Sequence, residues 1–479
     1  MDNLHASSEK RQRQTYFRNL EIANAFESFL QNQATGGILL LICTLAAVFL
    51  ASFPKTEWFD NLWETAAGIT VGNFSIEMSL RSWINDALMA VFFFVVGLEI
   101  KREMLVGQLS SIKRSALPIM AAIGGMIVPA IIYSIFNAGN PESANGWGIP
   151  MATDIAFAIG ILSLLGDRVP GGLKIFLTAL AIVDDLGAII VLAVFYPTHA
   201  LHLNYLVYVA AIMAVLILLN RARVKNKFFY LIPGVFMWYL TYRSGIHATI
   251  SGVFLAMVIP SKGNINEIRF QTKVSLLLEK FKLTSRKELQ VLTSPEQQHI
   301  IHSMNKEITD VDPLMHRLES KLHPIVTFLI MPLFALANAG VDINPSHIGG
   351  GGIHPISSGI FFGLIIGKPL GIFLLSFLSI KLGIAARPNG ISWTQLAATG
   401  ILGGIGFTMS IFIDNLAFTS QSIIDIGKVS ILLSSTTAAV LGLIALSMVC
   451  RGKAPELTSE QILPVRDEQE NDSGSSKEG

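Results

Sequence analysis

The stretch Thr178–Tyr196, TALAIVDDLGAIIVLAVFY, decides how the rest of the chain is read. At about 1.5 Å per residue it is long enough, with a few flanking residues, to cross a bilayer. Two adjacent aspartates, Asp184 and Asp185, sit near its middle. Each carboxylate at that depth costs about 2.5–3.5 kcal/mol on insertion scales. A chain that keeps two of them side by side has them face water, an ion or a partner. The stretch therefore predicts a site inside a membrane that handles cations and protons.

Working outward, 51% of the 479 residues are hydrophobic and 14% are charged. That charge content is well below the ~25% of a soluble protein and argues for many spans. The net charge of +1 excludes the basic footprint of a nucleic-acid-binding protein. Cys43 and Cys450 lie in apolar runs near opposite ends of the sequence, so neither a disulfide framework nor a cysteine metal site is expected. The first 33 residues are polar and basic, and the first apolar run is long enough to be a true span and not a signal core.

Apolar runs against polar breaks predict an all-α polytopic membrane protein of about twelve spans. They fall near 35–53, 83–105, 115–136, 147–166, 172–196, 203–220, 228–243, 246–260, 324–339, 357–381, 393–418 and 425–449. The expected organisation is a tail 1–34, spans one to eight in 35–260, a loop 261–323, spans nine to twelve in 324–450, and a disordered tail 451–479. Basic residues cluster after even-numbered spans: Lys101, Arg102, Lys113 and Arg114, then Arg168 and Lys174, then Arg221 to Lys227, then Lys381 and Arg387. By the positive-inside rule both termini and the long loop are cytoplasmic. The loop holds amphipathic patterns such as EIRFQTKVSLLLEKFK, read as one or two short helices on the membrane face. The segment 54–82 is long enough for a small outer hairpin.

Two spans are interrupted. Pro150 precedes MATDIAFAIG in 147–166, and GILGGIG puts four glycines into seven residues of 393–418. Spans three to five and ten to twelve each hold one in the middle of three, with opposite starting sides, as an inverted repeat requires. Paired interruptions of this kind point to the binding site of a secondary transporter.

Adjacent helical residues point about 100° apart, so Asp184 and Asp185 cannot both face one narrow cavity. One should face water while the other meets a neighbouring element. Ionisation of one opposes ionisation of the other, and a hard monovalent cation relieves that repulsion, so metal and protons compete for the pair. A protonated pair that only stabilises packing is the alternative. Asp154 is placed to offset the N-terminal dipoles of a broken helix, with Thr153 either a hydroxyl ligand or structural. Lys368 is the only lysine deep in a span, with Asp184 its preferred partner; static counter-charge to the carbonyl ends of the second broken helix is the alternative. At the cytoplasmic ends, Glu99, Lys101, Arg102 and Glu103, together with Glu319 and His323, can form a titrating mouth or merely cap spans. His247 reads as a helix-end residue on the outer face, Asp86 as the cap of span two, and Asp414 as an acid that could face a vestibule.

The motifs ATDIAFAIG (152–160), AIVDDLGAI (181–189), VGLEIKRE (96–103), LHPIVTFLIMPLFALANAG (322–340), GKPLGI (367–372) and GFTMSIF (406–412) together resemble the NhaA family of sodium/proton antiporters over roughly residues 35–450. Inverted repeats are known in that family, so the repeat and the resemblance are not independent signals. The resemblance implies an inner-membrane antiporter that expels sodium or lithium for a larger number of protons, is activated by alkaline pH, and needs no cofactor. It implies that Asp185 is the principal cation ligand and proton carrier, with Asp184 beside it and Thr153 assisting. Asp154 and Lys368 match residues that balance the crossed helices. Glu99, Arg102, Glu103, Glu319 and His323 match positions tied to pH activation. An outer hairpin and a homodimer are implied as well. The loop and both tails are longer than the family pattern, and Asp414 is an extra acid. Three rivals fit less well. An intramembrane aspartyl protease needs its aspartates on separate helices. A cation-coupled solute symporter would need more polar groups at the breaks than Thr408 and Ser410. A channel would need no paired breaks with an embedded lysine.

Overall fold

The computed structural model describes residues 33–52, 57–71, 74–197, 201–262, 267–284, 295–341, 354–388 and 390–450. The expected tail 451–479, and all but the end of 1–34, lie outside the described residues. Helices stand at every one of the expected span positions. In chain order they are α1 (Gln33–Ala51), α2 (Glu57–Glu64), α3 (Leu80–Leu105), α4 (Ile112–Phe136), the pair α5 (Pro141–Met151) and α6 (Ile155–Leu164), α7 (Gly171–Phe195), α8 (Leu203–Arg221), α9 (Phe228–Ser244) and α10 (Ile250–Val258). Next come α11 (Glu267–Thr284), α12 (Pro295–Val311), α13 (Leu314–Asn338), α14 (Pro355–Lys381), the pair α15 (Trp393–Gly403) and α16 (Phe407–Ala417), and α17 (Gln421–Val449).

Among the described residues, seven helices are individually long and apolar enough to cross a membrane, or nine when each bent pair counts as one span. The other span positions hold the shorter α1, α9 and α10. At 9 residues α10 is about 14 Å long, too short to cross alone. Its carbonyl end is met inside the protein: the Lys101 ammonium donates to Met257 O at 2.7 Å and Ile259 O at 2.5 Å. The ammonium thus pairs last-turn carbonyls that a buried helix end otherwise leaves without donors.

Both interruptions lie where the sequence placed them. The chain bends by 44° between α5 and α6 and by 46° between α15 and α16. Two three-helix units result, α4–α5/α6–α7 and α14–α15/α16–α17, an odd number of crossings apart and therefore inverted. Their first helices meet through Gly124 and Gly371. A methyl group on either would overlap the other's carbonyl oxygen, a contact that reads the same from both sides. Only glycine permits two helix backbones to approach so closely.

Two π turns sit one residue ahead of a proline: Val326–Ile330, closed by Met331 N before Pro332, and Gly363–Gly367, closed by Lys368 N before Pro369. Proline lacks the amide donor and crowds the carbonyl four residues back, so the preceding turn widens to i→i−5. Lys368 is thereby set at the end of a widened turn.

Several details differ from the expectation. The helix of span nine begins at Leu314, about three turns before 324, because its charged first turns continue as helix through Pro324. Span two is capped by Ser79, whose hydroxyl accepts the Ser82 amide at 3.2 Å, while Asp86 lies inside a π turn, Trp83–Leu88. The segment 54–82 does contain a hairpin: β1 (Ala66–Val71) pairs antiparallel with β2 (Phe74–Ser79), and the Trp83 indole donates to Ala67 O at 2.7 Å. In the long loop α11 and α12 pack together, joined by Lys273–Glu307 at 2.9 Å.

Replacing Gly124 with Val should destabilise the protein by about 1–3 kcal/mol or more, since two backbones would have to separate. Thermal unfolding in detergent, with Gly160→Ala as a comparison at a helical position where an added methyl meets only an ordinary contact of 3.6 Å, measures this. An unchanged midpoint for Gly124→Val would refute the close contact.

Candidate functional site: the crossing of two broken helices

Each broken span leaves unpaired amides on its outgoing half and unpaired carbonyls on its incoming half. Asp154 answers the first need for both spans. Its Oδ1 accepts the Phe157 amide of α6 at 3.0 Å. Its Oδ2 accepts the Thr408 amide of α16 at 3.2 Å and the Thr408 hydroxyl at 2.5 Å. One buried carboxylate thus sits at the positive ends of two half-helices, where dipole and hydrogen bonds both favour negative charge. The breaks are also tied by Asp154 N to Ile405 O at 2.7 Å, Thr153 Oγ1 to Gly403 O at 3.1 Å and Ser410 Oγ to Ile149 O at 2.8 Å.

Lys368 answers the second need. Its ammonium donates to Met151 O, the carbonyl end of α5, and to Asp184 Oδ2 at 2.7 Å, with both side chains 1% exposed. The carbonyl end it meets belongs to the first broken span, not the second as the alternative reading had it. Lys368 is thus engaged with both an acid and a helix end.

Asp185 turns elsewhere. It lines a cavity of about 510 Å³ that is also lined by Asp154 and Thr408, and that runs to Glu99, Arg102, Glu319 and His323. Asp184 is absent from that lining. The 100° between neighbours on a helix has divided the pair, one acid toward lysine and one toward the cavity. Asp185 Oδ1 is buried without a hydrogen-bond partner, as is Asp184 Oδ1.

At the mouth, Arg102 Nε lies 3.3 Å from Glu319 Oε1 and His323 Nδ1 lies 3.1 Å from Glu99 Oε1. Glu103 is close by, 3.5 Å from Arg102, but its other oxygen accepts the Gln108 amide at 2.9 Å and it does not line the cavity. Of α16, only Thr408 and Met409 line the cavity. Phe412 of α16 is held among Phe93, Phe334 and His247, with ring centroids 5.8, 6.1 and 5.3 Å away. Beyond it the amides of Asn85, Asn338 and Asn415 join α3, α13 and α16, with Asn415 Nδ2 to Asn338 Oδ1 at 3.1 Å.

Two expectations need correction, and one left open gains detail. His247 does precede α10, but it is buried against the Thr249 hydroxyl at 2.9 Å and the Phe412 ring, not on the outer face. Asp414 faces no vestibule and is fully buried. Thr153 uses its hydroxyl on a carbonyl across the crossing, whereas Thr408, read only as a thin polar signal, is the hydroxyl on the site carboxylate. A hydroxyl in the first turn after the second break was the clue, since that is where a neighbouring carboxylate and open amides meet.

A buried acid on a solvent-reaching cavity, beside crossed half-helices whose charges are balanced from within, defines an ion-coupled secondary transporter. The sequence profile of the Na+/H+ antiporter 1 family matches residues 27–446, and the chain belongs to that family. It is 47% identical over 427 residues to the Na(+)/H(+) antiporter NhaA of Wolinella succinogenes, covering 89% of this chain and 93% of that protein. It is also 47% identical over 419 residues to the Na(+)/H(+) antiporter NhaA of Helicobacter pylori strain 26695, covering 87% and 93%. Among solved structures, the sodium proton antiporter MjNhaP1 of Methanocaldococcus jannaschii overlaps 92% of this chain and 99% of its own, at 12% identity and a TM-score of 0.45, too distant a likeness to carry an argument. The protease reading falls with the family and with the geometry, since Asp184 and Asp185 adjoin on one helix. The symporter reading loses its polar groups, because Thr408 and Ser410 are both engaged.

Lys368→Met should lower stability by about 3–5 kcal/mol, the usual result of leaving a buried acid without its partner. The double variant Lys368→Met/Asp184→Asn should recover much of that loss. Unfolding midpoints in detergent test both; two additive single losses would show that the pair is not coupled.

Proposed function

We propose that this protein exchanges cytoplasmic Na+ or Li+ for external H+ across a bacterial inner membrane by alternating access. The observation that carries the reading is Asp185, buried with an unpartnered oxygen on a cavity that runs to Glu99, Arg102, Glu319 and His323, while its neighbour Asp184 is held by Lys368.

Asp185 is the principal cation ligand and proton carrier. A sodium ion arriving from the mouth takes carboxylate oxygens and displaces the Asp185 proton, because one acid cannot hold both. If the ion also draws Asp184, the Lys368 ammonium loses its acidic partner and releases a second proton. One charge then enters the site as two leave, which makes the exchange electrogenic. Asp154 keeps the crossing intact through the cycle, with Thr408 fixing its orientation; Thr153 is free to assist through its oxygen lone pairs.

The positive-inside pattern supports a mouth at the cytoplasmic face, both termini on that face, and the loop 261–323 beside the mouth. The state is then inward-open, closed outward by Phe412 and the three asparagines. Glu99, Arg102, Glu319 and His323 at the mouth, with Glu103 behind them, are suited to pH control, since their ion pairs form and dissolve with protonation. The outer hairpin offers an edge for a homodimer, and the apolar helix faces meet lipid. The transported ions are cargo, and no resident cofactor enters this reading.

Two outcomes test it. In proteoliposomes carrying a preformed proton gradient, added sodium should release the gradient, and Asp185→Asn should reduce that release to the level of protein-free vesicles. Potassium and lithium run in parallel report ion preference; near-normal exchange in Asp185→Asn would remove the proposed ligand. Glu319→Gln should keep exchange but move its pH profile by roughly half a unit or more, because Arg102 loses its partner. An unaltered profile would leave Glu319 as a simple span cap.

A further inference from the structure

Asp414 is an acid that the cavity does not use. It lies in the last turn of α16, on the outward side of the break, at 0% exposure, and both of its carboxylate oxygens lack a hydrogen-bond partner. Among the described residues no other side chain has two buried atoms left so. Asp154 rests on helix N-termini, but Asp414 sits at the opposite end of a half-helix, where the backbone's partial charge is negative. Neither dipole nor hydrogen bond explains its presence, and a buried acid without a structural task marks a place where protonation changes.

The surroundings suit that change. Gly427 of α17 lies directly against the carboxylate, where a methyl group would overlap Oδ1, and Lys428 is the next residue, 2% exposed. Lys428 and Asp425 are the α17 charges that act on Asp414, and from α4 Tyr133 lies within its field, its hydroxyl bonded to Ser143 O at 2.8 Å. Arg81 and Asp60, from the outer segment around the hairpin, act in turn on Lys428. No hydrogen bond joins Asp414 to Lys428.

Several serines lie between this pair and the crossing. Ser410 lies one turn back on the same face of α16. Ser430 meets Ser357 of α14 at 2.5 Å, and Ser435 accepts the Phe407 amide at 3.0 Å, one residue before Thr408 on Asp154. These serines lie outside the cavity lining and approach the crossing from the outward half.

We infer that Asp414, with Lys428 as its counter-charge, is a second protonation site, served from the outer face, whose occupancy sets how exchange responds to external pH. The inference rests on the exchange reading above. A proton taken from outer water neutralises Asp414 and leaves it indifferent to Lys428; its return to that water restores an anion that draws α16 toward α17. The two states differ in how the outer half of the second broken span packs, which is the part that must move when the mouth changes sides.

The test uses oriented proteoliposomes with outer-face pH varied at fixed inner-face pH. The full-length protein should change its sodium-driven rate about three-fold or more across the outer range, and Asp414→Asn should flatten that response to the part that external protons contribute as exchange substrate. Lys428→Met should move the outer midpoint upward by about one pH unit, because a cation no longer opposes protonation. Infrared difference spectra between outer pH extremes should show a protonated-carboxyl band that Asp414→Asn lacks. A wild-type outer profile retained in Asp414→Asn would overturn the inference, as would a band that survives in that variant. Should Asp414→Asn fail to fold, an unmoved midpoint in Lys428→Met overturns it equally. Failure of the exchange reading shows separately, as absence of sodium-driven proton movement in the unaltered protein.

Discussion

Two helices stop inside an apolar layer, and what remains of the protein is arranged so that they can. Hydrocarbon offers no water to the amides and carbonyls that a break exposes, and each unpaired group there costs several kcal/mol. Asp154 meets the amide ends of both outgoing halves through the Phe157 and Thr408 amides. Lys368 meets the carbonyl end of α5. The crossing is therefore neutralised by one acid and one base supplied by the protein itself. Without them the breaks would close into continuous helices or open to lipid.

Once Lys368 is committed to that place, its nearest acid is no longer available on equal terms with the next. Asp184 becomes half of a buried pair, and Asp185 inherits the cavity. The chemistry of exchange thus follows from a structural obligation. The lysine that stabilises a helix end also decides which of two chemically identical residues faces the cavity.

The elements with long apolar periodicity were legible because the bilayer fixes their length, and the breaks because Pro150 and the run Gly400–Gly406 forbid unbroken helix. The division between Asp184 and Asp185 followed from helical angle, and the pairing of Lys368 with Asp184 expected from the sequence is the one that α14 makes. Other features had no local signal. Span nine was read short because Glu319, His323 and Pro324 look like a boundary, yet an amphipathic first half can stand at a water-filled mouth. Asp86 resembled a cap, but Ser79 lay closer to the true start. His247 was placed outside because a histidine at a helix end is usually wet; here Phe412, far off in sequence, covers it. Thr408 was undervalued for the same reason, since its partner is 254 residues away.

The reciprocal contact of Gly124 with Gly371 has a mechanical consequence. Were the two units to tilt about this contact, a pivot that reads the same from both sides would favour neither direction, and the bias between the two faces would come from what binds on either side.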